Sequence, residues 1–173
     1  MNKDRALESM KAFYGDDADR IDHTLRVLDF TERICEGEGV TDPFQREVIV
    51  MAAIFHDVGI PVALRKHGTA AGPFQEREGE PVARRLLIEI GTRPDVLERV
   101  CHIIGHHHTR EAVDGLDFQI FWESDALVNI PRDLARQRAK GQAPAELPPE
   151  KRRELIDTYF TTATGTRLIM GLI

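Results

Sequence analysis

The sequence predicts an all-α protein, a helical bundle of one domain. Three observations favour that fold class. Aromatic residues make up only 6% of the chain, no segment alternates apolar and polar residues with period two, and apolar residues recur at helical spacing along most of the length. With 173 residues, of which 42% are hydrophobic, the chain can form one domain with a hydrophobic core and is short for two. We therefore expect residues 1–173 to form a single domain.

The first part of the chain is predicted to form three helices. Residues 2–14 form an amphipathic pattern, and residues 19–36 form a second one that ends at Gly37. A third helix is predicted to begin at Pro43, because proline is favoured at the first helical position. Its continuation over 48–55 is apolar on nearly every side. That pattern predicts a central buried helix, with a buried strand as the alternative.

The rest of the chain is predicted to contain further helices separated by two long loops. Glycine, proline and charged residues predict a loop over 61–74, which is a candidate lid over a cleft, and a mobile loop or linker over 131–150. Between and after these loops, the apolar spacing predicts helices over 75–90, from Pro94 into the histidines at 106–108, over 116–129, over 149–160 and over 164–173.

Composition excludes several classes of protein. The 23 Lys and Arg against 29 Asp and Glu give a net charge of −6, which is a poor match for a nucleic-acid coat protein. A small phosphorylated ligand remains compatible with that charge, because it needs only local positive charge or a metal. Two cysteines give no disulfide framework. We see no apolar segment of signal-peptide length at the start and no run approaching about 18 apolar residues. We therefore expect a cytoplasmic protein that does not span a membrane.

Histidine and aspartate residues stand at the centres and ends of the apolar helices. His56 and Asp57 directly follow the most apolar helix. A carboxylate is costly there unless it is paired or bound to metal, and it meets the negative end of the helix dipole. A cation would remove both penalties, and adjacent side chains on a helix can face one ion. His23 and Asp125 also lie among apolar helical residues. One such residue is ordinary, but four together predict a metal site.

This pattern resembles the HD-domain superfamily of metal-dependent phosphohydrolases. The hallmark order of that family is His, then His-Asp, then a distant Asp, and here the residues are His23, His56-Asp57 and Asp125. The flanking stretches DHTLRVLDFTERI, AAIFHDVGI and FWESDALVN are similar as well. The resemblance covers about residues 19–130. It implies an HD-type helical bundle with the metal site among the central helices, followed by the loop over 131–150 and closing helices over 151–173.

The resemblance implies a divalent metal held by His23, His56, Asp57 and Asp125, with one or two ions per chain. The donors are nitrogen and oxygen without cysteine, which suits Mn, Fe, Co, Ni, Zn or Mg. If two ions bind, Asp57 would bridge them, and Asp57 is also expected to be catalytic.

Ligands for a second metal are less regular in this sequence. His106 and His107 are expected as second-metal ligands or phosphate contacts, and as groups that orient water or protonate the leaving oxygen. Dinuclear members of the family usually have another histidine about twenty residues after the His-Asp pair, where this chain has Gln75. A nearby carboxylate could replace it. Glu78 is our first choice and Glu76 is adjacent, while a charged helix start that only interacts with the dipole is the alternative.

Substrate-binding residues are predicted from a second departure from the family pattern. Many members have lysine directly after His-Asp-x-Gly, whereas Ile60 stands there in this chain. Arg65, Lys66 and His67 follow in the predicted loop and could supply the missing positive charge to a phosphate, with a solvated loop as the alternative. Gln75 is also expected to contact the substrate. No Gly-Tyr-Pro follows the histidines, which argues against cyclic di-GMP as the substrate.

Two residues near Asp125 are expected to have structural roles. Trp122 is predicted to be a core residue, with stacking on a base as the alternative. Glu123 stands two residues before Asp125, so it would point elsewhere on the helix and is not expected to be a ligand.

The activity implied by the resemblance is metal-dependent phosphohydrolysis of a small metabolite or nucleotide. The substrate would be a phosphomonoester or phosphodiester, and the metal would lower the pKa of an attacking water. Two alternatives stay open, namely a mixed-valent di-iron oxygenase on the HD fold and a non-catalytic sensor that binds metal or nucleotide. The N-terminal helix is a candidate contact in a homodimer.

Overall fold

The computed structural model describes residues 2–173, and within that range it contains helices and no strand. This confirms the all-α prediction. Short 3-10 turns occur at His56–Gly59 and Arg110–Ala112. The α-helices are α1 (Lys3–Tyr14), α2 (Ala18–Gly37), α3 (Pro43–Phe55), α4 (Ile60–His67), α5 (Gly72–Glu89), α6 (Pro94–Ile104), α7 (Leu116–Ala139), α8 (Pro149–Tyr159) and α9 (Ala163–Met170).

Helix α3 is the centre of the core. Every residue from 48 to 55 is buried, and the helix packs against α1, α2, α6 and α7. Asp42 caps its first turn by accepting a hydrogen bond from Gln45 N at 2.9 Å, which satisfies one free N–H of that turn. This arrangement confirms the prediction of a central buried helix and excludes the strand.

The segment Pro43–His67 is apolar and long enough to cross a membrane by length and composition alone. We expected no run of that length, so this stretch corrects the expectation. About 78% of its most apolar window is buried against the other helices, as expected for the core helix of a globular domain.

The predicted loop over 61–74 is wrong for most of its length, because α4 is helical from Ile60 to His67 and α5 begins at Gly72. Pro61 stands in its first turn, where no backbone N–H donor is needed. Gly68, at φ 69°, ends the helix in the left-handed conformation that favours glycine. The connection to α5 is therefore short, and the side chains of α4 have fixed positions.

The predicted loop over 131–150 is wrong in its first part, because α7 continues through Pro131 to Ala139. Because proline removes one helical hydrogen bond, the sequence predicts that this helix ends before Pro131. The helix continues because Leu134 packs into the interior and is only 8% exposed. The irregular segment is confined to residues 140–148.

Helix α5 packs backbone against backbone on the turn that carries His56 and Asp57. A Cβ atom added at Gly59 would lie 2.2 Å from Gln75 O and 2.7 Å from Gly79 N. Only glycine permits so close an approach. The His-Asp turn is thus held between α3 and α5 by main-chain packing.

Candidate metal centre

Four side chains from three parts of the chain meet between α2, α3 and α7. His23 lies in α2, Asp125 lies in α7, and His56 and Asp57 lie in the turn after α3. His23 Nε2 is 3.2 Å from His56 Nε2. It is also 3.5 Å from Asp57 Oδ2 and 3.3 Å from Asp125 Oδ1. His56 Nε2 is 3.4 Å from Asp57 Oδ2 and 3.7 Å from Asp125 Oδ1. We call these four side chains the His/Asp cluster.

The spacing within the His/Asp cluster fits a metal ion. Ligand atoms bound at about 2.1 Å in tetrahedral geometry lie about 3.4 Å apart. The five separations that involve His23 or His56, from 3.2 to 3.7 Å, bracket that value. Asp125 Oδ1 is buried and accepts no hydrogen bond, although a buried carboxylate oxygen normally has a partner. A cation at the centre would satisfy it.

Hydrogen bonds to the main chain orient two of the imidazoles. His56 Nδ1 lies 2.9 Å from Ala53 O, and His107 Nδ1 lies 2.7 Å from Ile104 O. A carbonyl oxygen can only accept a hydrogen bond, so each Nδ1 carries a proton, and Nε2 is the nitrogen left to bind a metal when the ring is neutral. Histidines that bind metal are held in this way. His107 Nε2 is buried without a hydrogen-bond partner and lies 3.9 Å from Asp57 Oδ1.

The pKa values show how the cluster balances its charge without a metal. Burial would raise the pKa of Asp57, but the imidazoles of His56, His23 and His107 outweigh it and hold that pKa well below its usual range. Burial would lower the pKa of His56, yet Asp57 and Asp125 raise it to about 9. A proton on His56 therefore helps to neutralise the buried carboxylates, and a divalent cation could take its place.

The two candidate histidines of the 106–108 run have different environments. His107 is buried, and burial followed by the charges of His108 and His56 lowers its pKa to about 3. It is therefore a neutral imidazole beside Asp57. His106 is exposed, and its Nδ1 bonds to the carbonyl of His102 at 2.8 Å. The structure thus brings His107 to the His/Asp cluster but leaves His106 outside it.

Glu76 and Gln75, in the first turns of α5, form hydrogen bonds with neighbouring segments of the chain. Glu76 Oε1 accepts hydrogen bonds from His108 N at 2.8 Å and Thr109 Oγ1 at 2.9 Å, so it fixes the histidine turn. Gln75 donates to Ala70 O at 2.5 Å and leaves its own Oε1 buried without a partner. Gln75 lines the cleft over the cluster, where a substrate contact was expected.

Glu78 lies elsewhere, although it was our first choice for a second-metal carboxylate. It binds Lys66 Nζ at 2.6 Å and His67 Nε2 at 2.8 Å. Lys66 and then His67 lower the pKa of Glu78 to about 2. Because α4 is a helix, these basic side chains meet α5 and not the cleft. Arg65 and Lys66 line a separate surface cavity with Glu78, and His67 stacks on Phe74 with ring centroids 4.6 Å apart.

The cleft over the His/Asp cluster contains three arginines that sequence reasoning missed. It has a volume of about 780 Å³. One face of α7 carries, in order, Asp125, Asn129, Arg132 and Arg136. This spacing predicts two of the three arginines once the helix is extended past Pro131. The residues that line the cleft include His23, Asp57, Gln75, His108, Asp125 and Asn129, together with Arg20, Arg132 and Arg136.

Comparison with known proteins agrees with this geometry. The model of the HD domain family matches residues 20–153, which is most of the chain and contains the whole His/Asp cluster. No match to a curated protein was found. Members of the HD domain family are mostly metal-dependent phosphohydrolases. The ordered set of histidines and aspartates, the helical bundle and this match together show that the chain belongs to the HD domain family.

Proposed function

We propose that the protein is a metal-dependent phosphohydrolase acting on a small phosphorylated metabolite or nucleotide. The observation that carries the proposal is the His/Asp cluster, in which His23, His56 and Asp57 have the spacing of metal ligands and Asp125 lies beside both histidines, at the base of an open cleft. Membership of the HD domain family supports it. The substrate would be a phosphomonoester or phosphodiester.

Each residue of the cluster has a defined part in this proposal. His23, His56, Asp57 and Asp125 would hold the divalent ion, which supplies Lewis acidity and lowers the pKa of a water molecule toward neutrality. Asp57 lies between the imidazoles, with Oδ2 at 3.5 Å from His23 Nε2 and 3.4 Å from His56 Nε2, and with Oδ1 at 3.9 Å from His107 Nε2.

Two histidines are suited to moving protons. His107 Nε2 has a free lone pair beside Asp57, so it can accept a hydrogen bond from water or serve as a further ligand. His108 lines the cleft beside Asp125 and Asn129. It is therefore placed to give a proton to the leaving oxygen, a role in which histidine is common.

The arginines of the cleft are suited to bind phosphate oxygens. Arg132 donates to Asn129 Oδ1 at 2.7 Å and forms no carboxylate ion pair in residues 2–173. Its remaining N–H groups are free to bind a phosphate in a bidentate manner. Arg20 and Arg136 are held loosely, at 3.7 Å from Asp17 and 3.9 Å from Asp133. These groups supply local positive charge on a chain of net charge −6.

The proposal is tested by hydrolysis assays with defined metals. Protein purified without chelator is assayed with para-nitrophenyl phosphate and with bis(para-nitrophenyl) phosphate, after addition of Mn, Fe, Co, Ni, Zn or Mg. We expect hydrolysis of at least one ester with at least one metal. Replacing Arg132 with Ala should raise KM more than it lowers kcat, because the residue binds substrate in the ground state as well. Absence of hydrolysis with every metal would contradict the proposal.

A further inference from the structure

A second, smaller cavity adjoins the His/Asp cluster on the side of α7 and α8. Its volume is about 250 Å³. Two aromatic rings line it, Trp122 from α7 and Tyr159 from the end of α8, and they are nearly parallel at 18° with centroids 6.1 Å apart. Asp125 and Asn129 line both this cavity and the larger cleft. The aromatic cavity therefore adjoins the proposed catalytic centre.

The position of Tyr159 is fixed by a fully buried carboxylate. Glu123 accepts hydrogen bonds from Thr161 N at 2.7 Å, from Thr162 N at 2.9 Å and from Gln119 Nε2 at 2.7 Å. Gln119 Nε2 also donates to Tyr159 O at 3.2 Å. The carboxylate of Glu123 and the amide of Gln119 both belong to α7, the helix that carries Asp125. The main chain at Tyr159 is therefore hydrogen-bonded to the same helix as this proposed metal ligand.

A glycine makes this attachment possible. A Cβ atom at Gly165 would lie 2.0 Å from Glu123 Oε2, so any larger residue would displace the carboxylate. Thr162 caps α9 by accepting a hydrogen bond from Gly165 N at 2.9 Å. Tyr159, Thr162 and Gly165 lie beyond residue 153, where the match to the HD domain ends, whereas Trp122 and Glu123 lie within it.

We propose that the aromatic cavity is the subsite for the non-phosphate part of the substrate and that it selects a flat aromatic ring. This inference rests on the proposed function, because it places the phosphate at the His/Asp cluster. Pockets for drug-sized ligands have volumes of about 300–1,000 Å³, so 250 Å³ suits one compact ring group. Aromatic side chains bind such groups by stacking.

The remaining lining residues fit the same ligand. Ala126 and Ile130 are apolar, whereas Asn129 and Asp133 offer an amide and a carboxylate. Apolar surface with a few polar groups is the composition of sites that recognise both the face and the edge of a ring. On the other side, the Arg110 guanidinium lies over the Trp122 ring at 5.7 Å, which helps to hold that ring in place.

The protein has one tryptophan, Trp122, so its fluorescence reports on this cavity without any need for turnover. The probes are adenosine monophosphate, which has a ring, and ribose phosphate, which has the same phosphate and sugar without it. We expect adenosine monophosphate to quench Trp122 and to bind at least about tenfold more tightly than ribose phosphate, since stacking on one aromatic residue commonly accounts for such a factor. Equal affinity for both probes would overturn the proposal.

Variants separate a stacking role from a structural one. Tyr159→Ala should weaken binding of adenosine monophosphate about tenfold and leave ribose phosphate unchanged, while Tyr159→Phe, which keeps the ring, should bind as the wild type does. If Tyr159→Ala unfolds α8, Ala126→Leu tests the same cavity by filling it, and it should block the ring ligand. Unchanged binding in Ala126→Leu and in folded Tyr159→Ala would refute the subsite.

The binding assay and the hydrolysis assay can fail independently. Ring-dependent quenching without hydrolysis under any metal would sink the phosphohydrolase proposal, and with it the assignment of this cavity as a substrate subsite, leaving only a ring-binding cavity. Hydrolysis without any preference for the ring would refute the subsite and leave the phosphohydrolase intact.

Discussion

Two separate clusters of carboxylate and histidine differ in what balances their charge. In one, Glu78 is 6% exposed at its side chain and meets the Lys66 ammonium at 2.6 Å as well as His67. In the other, Asp57 is 13% exposed and meets only imidazoles. No lysine or arginine of residues 2–173 forms an ion pair with Asp57 or Asp125.

The difference teaches how to tell a metal site from an ion pair when both contain acidic and basic residues. Glu78 has a permanent cation from its own chain, so it needs nothing further. Asp57 and Asp125 have partners that are cationic only when protonated, and Asp125 Oδ1 has no hydrogen bond at all. Buried carboxylates in that condition can be neutralised by a protonated imidazole or by an external cation. We therefore place the metal at Asp57 and leave Glu78 outside it.

The largest expected effect follows from removing the charge of Asp57. Asp57→Asn keeps the size of the side chain but removes a metal ligand, so kcat/KM should fall by at least about 100-fold. Glu78→Gln is the matched control and should keep most of the activity. Steady-state kinetics on the best ester measures both. A larger loss of kcat/KM in Glu78→Gln than in Asp57→Asn would contradict the assignment of the metal to the His/Asp cluster.

The next effect separates two neighbouring histidines. His107→Ala removes the imidazole that lies 3.9 Å from Asp57 Oδ1, and kcat should fall roughly tenfold or more. His106 is exposed and outside the cluster, so His106→Ala should stay within about twofold of the wild type. Equal losses of kcat in the two variants would contradict a role in catalysis that depends on the buried position of His107 beside Asp57.

Metal should stabilise the fold through one cluster only. An ion present at about 100 times its Kd stabilises the folded state by about 2.7 kcal/mol, which raises the Tm of a chain of this size by roughly 5–10 °C. A chelator should reverse the shift. Thermal unfolding followed by circular dichroism should show the same increase in Glu78→Gln and none in Asp57→Asn, and a shift retained in Asp57→Asn would place the metal elsewhere.

The smallest effect concerns the pH dependence of the Glu78 cluster. Lys66 lowers the pKa of Glu78 from 4.5 to about 2. A carboxyl whose pKa is lowered by folding stabilises the folded state fully above its ordinary pKa, and that contribution is lost as the pH falls toward the lowered value. Glu78→Gln should therefore have a lower Tm than the wild type at neutral pH. The difference should disappear between pH 4.5 and 2; a difference that persists at the lowest pH would contradict this account.

The sequence revealed the His/Asp cluster because burying charge on apolar helices is costly and therefore visible in the pattern. His56 and Asp57 stood at the end of the most apolar helix, and the structure places them beside His23 and Asp125. The all-α class and the central position of α3 followed from apolar periodicity in the same way. These features depend on the local order of apolar and charged residues, which can be read from a single sequence.

Features that depend on packing between distant segments could not be predicted in the same way. Pro131 suggested the end of a helix, but the burial of Leu134 outweighs its lost hydrogen bond, so Arg132 and Arg136 were missed. Lys66 was expected near phosphate, and only the helical form of α4 shows that it meets Glu78. Trp122 packs against the core as predicted, but Tyr159 comes from another helix, so the cavity that the two rings line could not be predicted.

The central claim is that the His/Asp cluster, and not the Glu78 cluster, binds a divalent metal. The most direct test is elemental analysis of metal content per chain in the wild type, Asp57→Asn and Glu78→Gln, each purified without chelator. The account predicts at least about one equivalent in the wild type and in Glu78→Gln and almost none in Asp57→Asn. A wild type without metal, even after reconstitution with Mn, Co, Ni or Zn, would contradict it.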